Sequence, residues 1–375
     1  MKADMFYVAI FATVLMLIPA SMTIPTASKD RINLHLPLPQ AAVAENTGIT
    51  EKSAVSENIK EEETEEPEDI AHVNYMQESA ADIGVAAFKI LDESTGKVTE
   101  VALRDYVRGA VAAEMPVTFH TEALKAQAVA AHTYALYCYY VQQKMPDPKL
   151  KGAAFSADPS NMEVYITEEK ARDFYGETYA ETYWNKICEA ADSVLPYIMV
   201  YNEEPIVAAY HAISGGKTEA AENVWNGTAQ YLQPADSSGD YLAPNYETSA
   251  EFSVQEVKNI LSTAYPNIDL SMEASIWFSD IVRSDSGYIT SIDVGGTELH
   301  GKDIRRLFGL RSHNIDIFYT GESFEFVAYG YGHGVGLSQY GADFLARQGY
   351  TFDEILDNYY SEISLKMVSF NSKQP

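Results

Sequence analysis

A carboxylate stands where a buried apolar residue is due. Residues 103–114 read LRDYVRGAVAAE, and Leu103, Tyr106, Val107, Ala110 and Val111 recur at the spacing of one buried helix face. The next position of that stripe is Glu114. Pro116 stops the helix, which leaves Glu114 in the last turn, where unpaired carbonyls concentrate negative potential. Desolvation and the helix end both favour the protonated acid and so raise its pKa. A carboxylic acid that keeps its proton near neutrality can donate it in catalysis.

A second helix follows, with Thr118 or Thr121 as its cap and Glu122 in its first turn. Its inward stripe, Leu124, Ala128, Ala131, Ala135 and Cys138, is mostly small, so another helix can approach closely. Lys125 and His132 are two helical turns apart and share a face roughly 10 Å long. Two readings fit this corner. Glu114 is a catalytic acid with Lys125 and His132 beside it, or Glu114 and Lys125 form a structural ion pair.

The stretch AAEMPVTFHTEALKAQAVAAHTYA at 112–135 resembles the characteristic motif of the stage II sporulation protein D (SpoIID) family, which includes the LytB-type amidase enhancers. GYGHGVGLSQYGA at 330–342 matches a second family motif, and AYHAISGGKTEAAENVWNG at 209–227 resembles its middle block. The resemblance runs from 85 to 369 in the family's order. It implies a lytic transglycosylase that cuts peptidoglycan glycan strands, with Glu114 as the acid. It also implies substrate contacts from Lys125, His132 and Tyr134 on the second helix. From the middle block come Ser214, Gly215, Gly216 and Thr218, and from the last block His333 and Gln339. Many members carry Arg where this chain has His132.

The formal net charge of −28 excludes a nucleic-acid role resting on a basic surface. It also repels anionic lipid, so membrane contact has to be hydrophobic. Such a segment exists near the start. An apolar run from Met5 extends to Ile24, about 20 residues and long enough to cross a bilayer. Residues 1–25 are expected to anchor the chain, with the remainder outside the cytoplasm facing the cell wall; a cleaved signal peptide is the rival. Residues 26–80 are rich in Glu, Ala, Ser and Thr, hold most of an acidic block, and read as a disordered tether.

Residues 81–375 read as one α+β domain, because strands and helices do not alternate as βαβ units require. Strands are expected at 85–91, 97–103, 195–200, 206–211, 277–283, 288–294, 315–319 and 324–329. Helices are expected at 168–191, from Ser253 to about Thr263 behind a Ser253/Glu256 capping box, up to Arg347, and from Thr351 behind a second box with Glu354. These elements are expected to form a substrate cleft. Trp225 and Tyr231 could stack on sugar faces, although single aromatics belong more often to a core. The 149–165 stretch reads as a loop. In clostridial relatives it carries a Cys-x4-His-Cys set resembling a zinc site, but here Ser156, Asn161 and Met162 take those places, so no zinc is expected. Cys138 and Cys188 each sit in a helical pattern and are expected as free thiols. No phosphate-binding or dinucleotide loop is present, and no cofactor is expected.

Hydrolytic glycosidases need two carboxylates, whereas lytic cleavage of the MurNAc–GlcNAc β-1,4 bond can use one, acting first as acid and then as base. A single misplaced Glu suits the second chemistry. The rivals are a glycan-binding enhancer of a wall amidase that does not cut, and a scaffold linking membrane to wall. The family resemblance implies a cell-wall amidase and a membrane scaffold protein of the engulfment machinery as partners.

Overall fold

A computed structural model describes residues 84–369, Asn226 excepted. The apolar run ending at Ile24 and the acidic 26–80 segment lie outside the described residues. Among the described residues no helix is long and apolar enough to cross a membrane.

The chain opens with a hairpin, β1 (Ala87–Asp92) and β2 (Lys97–Ala102), and passes directly into α1 (Leu103–Glu114). The five stripe residues of α1 are all buried. Helix α2 (Thr121–Lys144) starts behind His120, whose Nδ1 accepts from the Glu122 N–H at 3.3 Å. His120, not Thr118 or Thr121, is therefore the cap. Ala123, Ala126, Ala128, Ala130, Ala131 and Ala135 are buried, and these small side chains let α3 (Glu168–Val194) pack close. Gly176 breaks α3 with a φ of +72°, a backbone state that costs glycine little. Arg108 of α1 holds Asp192 of α3 through Nε and a second, shorter bond from Nη2.

Strand β3 (Phe155–Ala157) lies in the stretch expected to be loop and pairs parallel to β1. Two more differences follow the same logic. β4 (Tyr197–Tyr201) pairs with the two-residue β5 (Glu204–Pro205), but the expected strand at 206–211 survives only as β6 (Tyr210–His211). Ile206, Val207, Ala208 and Ala209 are all buried, and the Val207 N–H goes to the Tyr231 hydroxyl instead of a neighbouring strand. An apolar run in the core interior reads the same whether its backbone bonds are to strands or side chains.

A second hydrophobic core, with Val257, Leu261, Trp277, Ile292 and Phe326 in it, is built by the following segment. Here β7 (Glu247–Ser253) leads into α4 (Val254–Ala264) through the capping box expected at Ser253. Then come β8 (Phe278–Arg283), β9 (Ile289–Val294), β10 (Thr297–Leu299), the short α5 (Gly301–Leu307), β11 (Ile315–Tyr319) and β12 (Ser323–Tyr329). They form two antiparallel sheets, ordered β10-β9-β8 and β11-β12-β7. The chain returns to the first core with β13 (Leu337–Ser338), parallel to β6, then α6 (Gln339–Arg347), α7 (Phe352–Tyr359) and β14 (Ser364–Met367), which pairs with β4. The fold is mixed α and β with antiparallel sheets dominant, as the α+β expectation required. Cys138 and Cys188 are free thiols.

Candidate active site

Glu114 is the last residue of α1, and Met115 turns extended immediately after it. The corner that follows is fixed from two sides. From α3, Lys186 Nζ donates to the carbonyls of Val117 at 2.7 Å and Phe119 at 2.6 Å. From α6, Asp343 accepts the His120 N–H at 2.6 Å, while the Phe119 ring meets Tyr340 edge-on at 4.9 Å. These contacts hold the start of α6 against the end of α1, and the first α6 residue, Gln339, donates from Nε2 to Glu114 Oε2 at 3.5 Å. That distance is at the outer limit of a hydrogen bond.

Glu114 is half-buried, open to solvent along part of its surface yet surrounded by protein. Desolvation pushes its pKa up to about 7, and the Gln339 amide pulls weakly the other way. Lys125 and His132 would cancel that rise if they faced the carboxylate as cations. They do not. Lys125 turns to Glu122, 2.7 Å away, and Glu122 also accepts the Phe352 N–H. His132 is 1 % exposed and held by the backbone of Tyr197 and Leu195. Burial drives its pKa down to about 4, so it is neutral and inside the core. Spacing on the helix therefore does not bring Glu114, Lys125 and His132 together. Tyr134 is half-buried beside Cys138, whose thiol, with burial, pushes the phenol well up.

The middle block is built inward. Ser214 and Thr218 are fully buried. The Ser214 N–H donates to Asp240 Oδ2 at 2.8 Å, the Gly215 N–H to the Tyr288 hydroxyl at 2.9 Å, and Thr218 Oγ1 accepts the Ala235 N–H at 2.8 Å. Gly216 has a φ of +96°, and a Cβ there would come within 2.3 Å of the Tyr241 ring. In the last block, a Cβ on Gly334 would meet the Tyr288 hydroxyl at 2.6 Å. These glycines allow protein to pack on protein. His333 Nδ1 accepts the Val335 N–H at 3.1 Å, and its ring lies 5.0 Å from Trp225 and 5.5 Å from His211. Burial, then Arg305, lowers its pKa to about 3. It is a neutral imidazole whose hydrogen-bonded Nδ1 fixes its tautomer.

The structure adds residues that pattern reading did not single out. Tyr210 is pushed well up by burial and then by the charge of Glu114, so it belongs to the acid's surroundings. Its only signal was a place inside the quoted middle block. Asp240, fully buried, accepts from Ser214, from Ser237 Oγ at 2.9 Å and from Ser338 Oγ at 2.8 Å. Ser338 is the cap of α6, accepting the Gly341 N–H. One carboxylate thus ties the middle block to the helix that presents Gln339. Glu219, also fully buried, accepts from the Ala220 N–H at 2.7 Å, from Asn223 and from Ser284. Among the described residues, no group of three or more His, Cys, Asp or Glu side chains gathers as a metal would require.

A sequence profile described as "SpoIID: Stage II sporulation protein" matches residues 92–201. Stage II sporulation protein D of Bacillus subtilis (strain 168) is 32% identical over 282 residues, 75% of this chain and 78% of that protein. Its namesake in Bacillus amyloliquefaciens is 33% identical over 281 residues, 75% of this chain and 79% of the relative. The amidase enhancer of Bacillus subtilis (strain 168) is 23% identical over 307 residues, 69% of this chain but 40% of that protein. With that identity carried over most of both chains, and the acid's corner inside the matched profile, the chain is a member of the stage II sporulation protein D family.

Proposed function

We propose that this protein is a lytic transglycosylase of the sporulating cell wall, cleaving the MurNAc–GlcNAc β-1,4 bond. One observation carries the reading. Glu114 has a pKa raised to about 7 by burial, and among the described residues no other carboxylate contributes to that shift. A retaining glycosidase sets its second carboxylate about 5 Å away, and an inverting one within about 10 Å. An acid held protonated near neutrality, with an amide rather than a second carboxylate as its hydrogen-bond partner, suits the chemistry that needs only one.

Protonated Glu114 gives its proton to the glycosidic oxygen as the C1–O bond breaks, and the GlcNAc end leaves as an alcohol. Positive charge develops at the muramoyl C1 and faces the new carboxylate. Glu114 then takes the proton of the muramoyl 6-hydroxyl while that oxygen bonds to C1. The product is a 1,6-anhydro end, no water is consumed, and the acid is restored. The Gln339 amide steadies the carboxylate between the two transfers. In this reading Lys125 and Tyr134 hold the glycan, while the inward-built Ser214–Thr218 and His333 blocks hold the cleft wall behind it. The same reading puts the domain outside the cytoplasm, tethered by the N-terminal segment, working beside a wall amidase and a membrane scaffold protein.

Incubating the protein with purified peptide-stripped glycan and weighing the released ends tests it. Anhydro-muramoyl ends are expected. Reducing ends would mean hydrolysis, and binding without release would move the protein to the role named in its amidase-enhancer relative.

A further inference from the structure

The protein has 26 lysines and arginines against 54 aspartates and glutamates. Carboxylates are therefore plentiful, and Arg108, Arg172, Arg283, Arg306 and Arg347 each face one. Arg311 does not. Among the described residues no carboxylate meets its guanidinium, which lies 4.2 Å over the Tyr331 ring and gives one N–H to the Asn245 carbonyl at 3.1 Å. It is half-buried, and desolvation lowers its pKa. A cation partly withdrawn from water with no counter-charge costs folding energy. Such a group in a highly acidic chain invites an anionic ligand.

A second observation points to the same place. The Tyr340 hydroxyl is buried and has no hydrogen-bond partner, although buried hydroxyls are normally satisfied. Burial raises this phenol and the Arg311 charge opposes the rise, so the two groups are close. The backbone explains why. The Tyr340 N–H donates to Ala212, while Tyr331 and Ile213 exchange bonds at 2.6 and 3.0 Å. The Arg311 carbonyl accepts the Gly332 N–H at 2.9 Å. Both aromatic residues bond to the short stretch of Ala212 and Ile213, where the chain bends directly after Tyr210 and His211, and the Tyr210 phenol is raised by burial and then by the charge of Glu114. Gln339, which touches Glu114, is the neighbour of Tyr340.

We propose that Arg311, with the Tyr340 hydroxyl beside it, binds the free lactyl carboxylate of a muramoyl residue whose stem peptide has been removed. This rests on the glycan-cleaving reading above and deepens it. A guanidinium presents a fork matched to a carboxylate, and a hydroxyl adds a third donor. The lactyl acid is held on a short ether beside the sugar ring. A carboxylate out along a stem peptide would lose more conformational freedom on binding.

The test measures both release of glycan ends by the full chain and binding in a Glu114→Gln background. Three glycans are compared: peptide-stripped strands with free lactyl acids, the same strands with those acids converted to methylamides, and strands with intact stem peptides. Free-acid strands are expected to bind roughly 10- to 100-fold more tightly than methylamide strands. Arg311→Gln should abolish that difference, and Arg311→Lys should restore part of it. Tyr340→Phe, which removes one hydroxyl and leaves the ring, should weaken free-acid binding about 2- to 10-fold. If Arg311→Gln does not fold, the methylamide comparison and Tyr340→Phe decide alone. Equal binding of free-acid and methylamide strands, or undiminished discrimination in Arg311→Gln, overturns the assignment. Equally tight binding of peptide-bearing strands that is lost in Arg311→Gln would transfer the site to the peptide's carboxylate and overturn the lactyl choice. Cutting all three glycans alike sinks the Arg311 assignment and leaves the lytic reading standing. Discriminating binding without any cutting does the reverse.

Discussion

Glu114 and Asp240 are both carboxylates withdrawn from bulk water, and burial raises both, to about 7 and about 6. Their surroundings separate them. Asp240 is fully enclosed but accepts from three close donors, Ser214, Ser237 and Ser338. Each donor favours the charged form and opposes the desolvation that would otherwise hold the proton. Glu114 keeps a solvent-facing edge and has one amide at the limit of hydrogen-bonding distance. The better-buried acid is thus committed to joining loops, while the less buried one is free to exchange a proton. Donors at hand, more than depth, decide which of the two can do chemistry.

Replacing each carboxylate by its amide should drive the pair apart. The largest effect expected is on turnover. Glu114→Gln preserves shape but cannot protonate the leaving oxygen, and general acid–base help is worth ~10²–10⁴ in rate. Product release should fall at least about 100-fold, and the wild-type rate should itself decline as pH climbs through about 7. A Gln variant that releases product at the wild-type rate would reduce Glu114 to a structural residue.

Stability should respond to the two replacements with opposite signs. Asn at 240 would set an NH₂ against donors that need an acceptor, at a cost of roughly 1–3 kcal/mol. For Glu114 the sign follows from linkage. Its native pKa, about 7, lies above the ordinary 4.5, so between those values the folded state holds the extra proton. Wild-type stability is therefore lost as pH rises through that window, and the Gln variant escapes the loss. By denaturant unfolding at pH 5 and pH 8, Glu114→Gln should gain on wild type by roughly 1–3 kcal/mol more at the higher pH. A gain that does not change with pH would mean that Glu114 does not titrate in this window.

The same contrast explains what could be read from the sequence. Glu114 was visible because a helix stripe is a local pattern, and one residue out of character shows within twelve. Asp240 gave no signal. Two of its three partners lie 26 and 98 residues away, and it sits among Asp236, Ser237, Ser238 and Gly239, ordinary company for a surface turn. His132 misled for a third reason. Seven-residue spacing puts it on the face of Lys125, but α2 is buried on nearly every side, and the backbone of Leu195 and Tyr197 covers that face. Facial arguments hold for helices with one wet side. The strand β7, with partly exposed residues alternating with exposed ones, lacks the apolar alternation that would have announced it.

Gln339 supplies a smaller test. Among the described residues it is the one side-chain donor to Glu114, and it lowers that pKa. Gln339→Met removes the donor and keeps the bulk. The alkaline limb of the rate profile should move to higher pH, and turnover should fall about 2- to 10-fold, because the carboxylate left after the first proton transfer loses its partner. An unmoved limb would mean that the 3.5 Å contact carries no energy.

The smallest effect is expected at Lys125, and it bears on which groups belong to the acid's region. Were Lys125 the ion-pair partner of Glu114, its removal would raise the acid's pKa and shift the alkaline limb. Its ammonium instead lies 2.7 Å from Glu122, one turn back on the same helix. Such partly exposed pairs contribute about 0–1 kcal/mol. Glu122 would also keep its second partner, the Phe352 N–H. Lys125→Met should therefore leave the pH profile in place and change stability by at most about 1 kcal/mol. If Lys125 touches glycan, as the family resemblance implies, the loss should fall on KM with kcat held. A displaced alkaline limb in Lys125→Met would show that the lysine reaches Glu114 once substrate is bound. The acid would then have to be redrawn as a Glu–Lys pair.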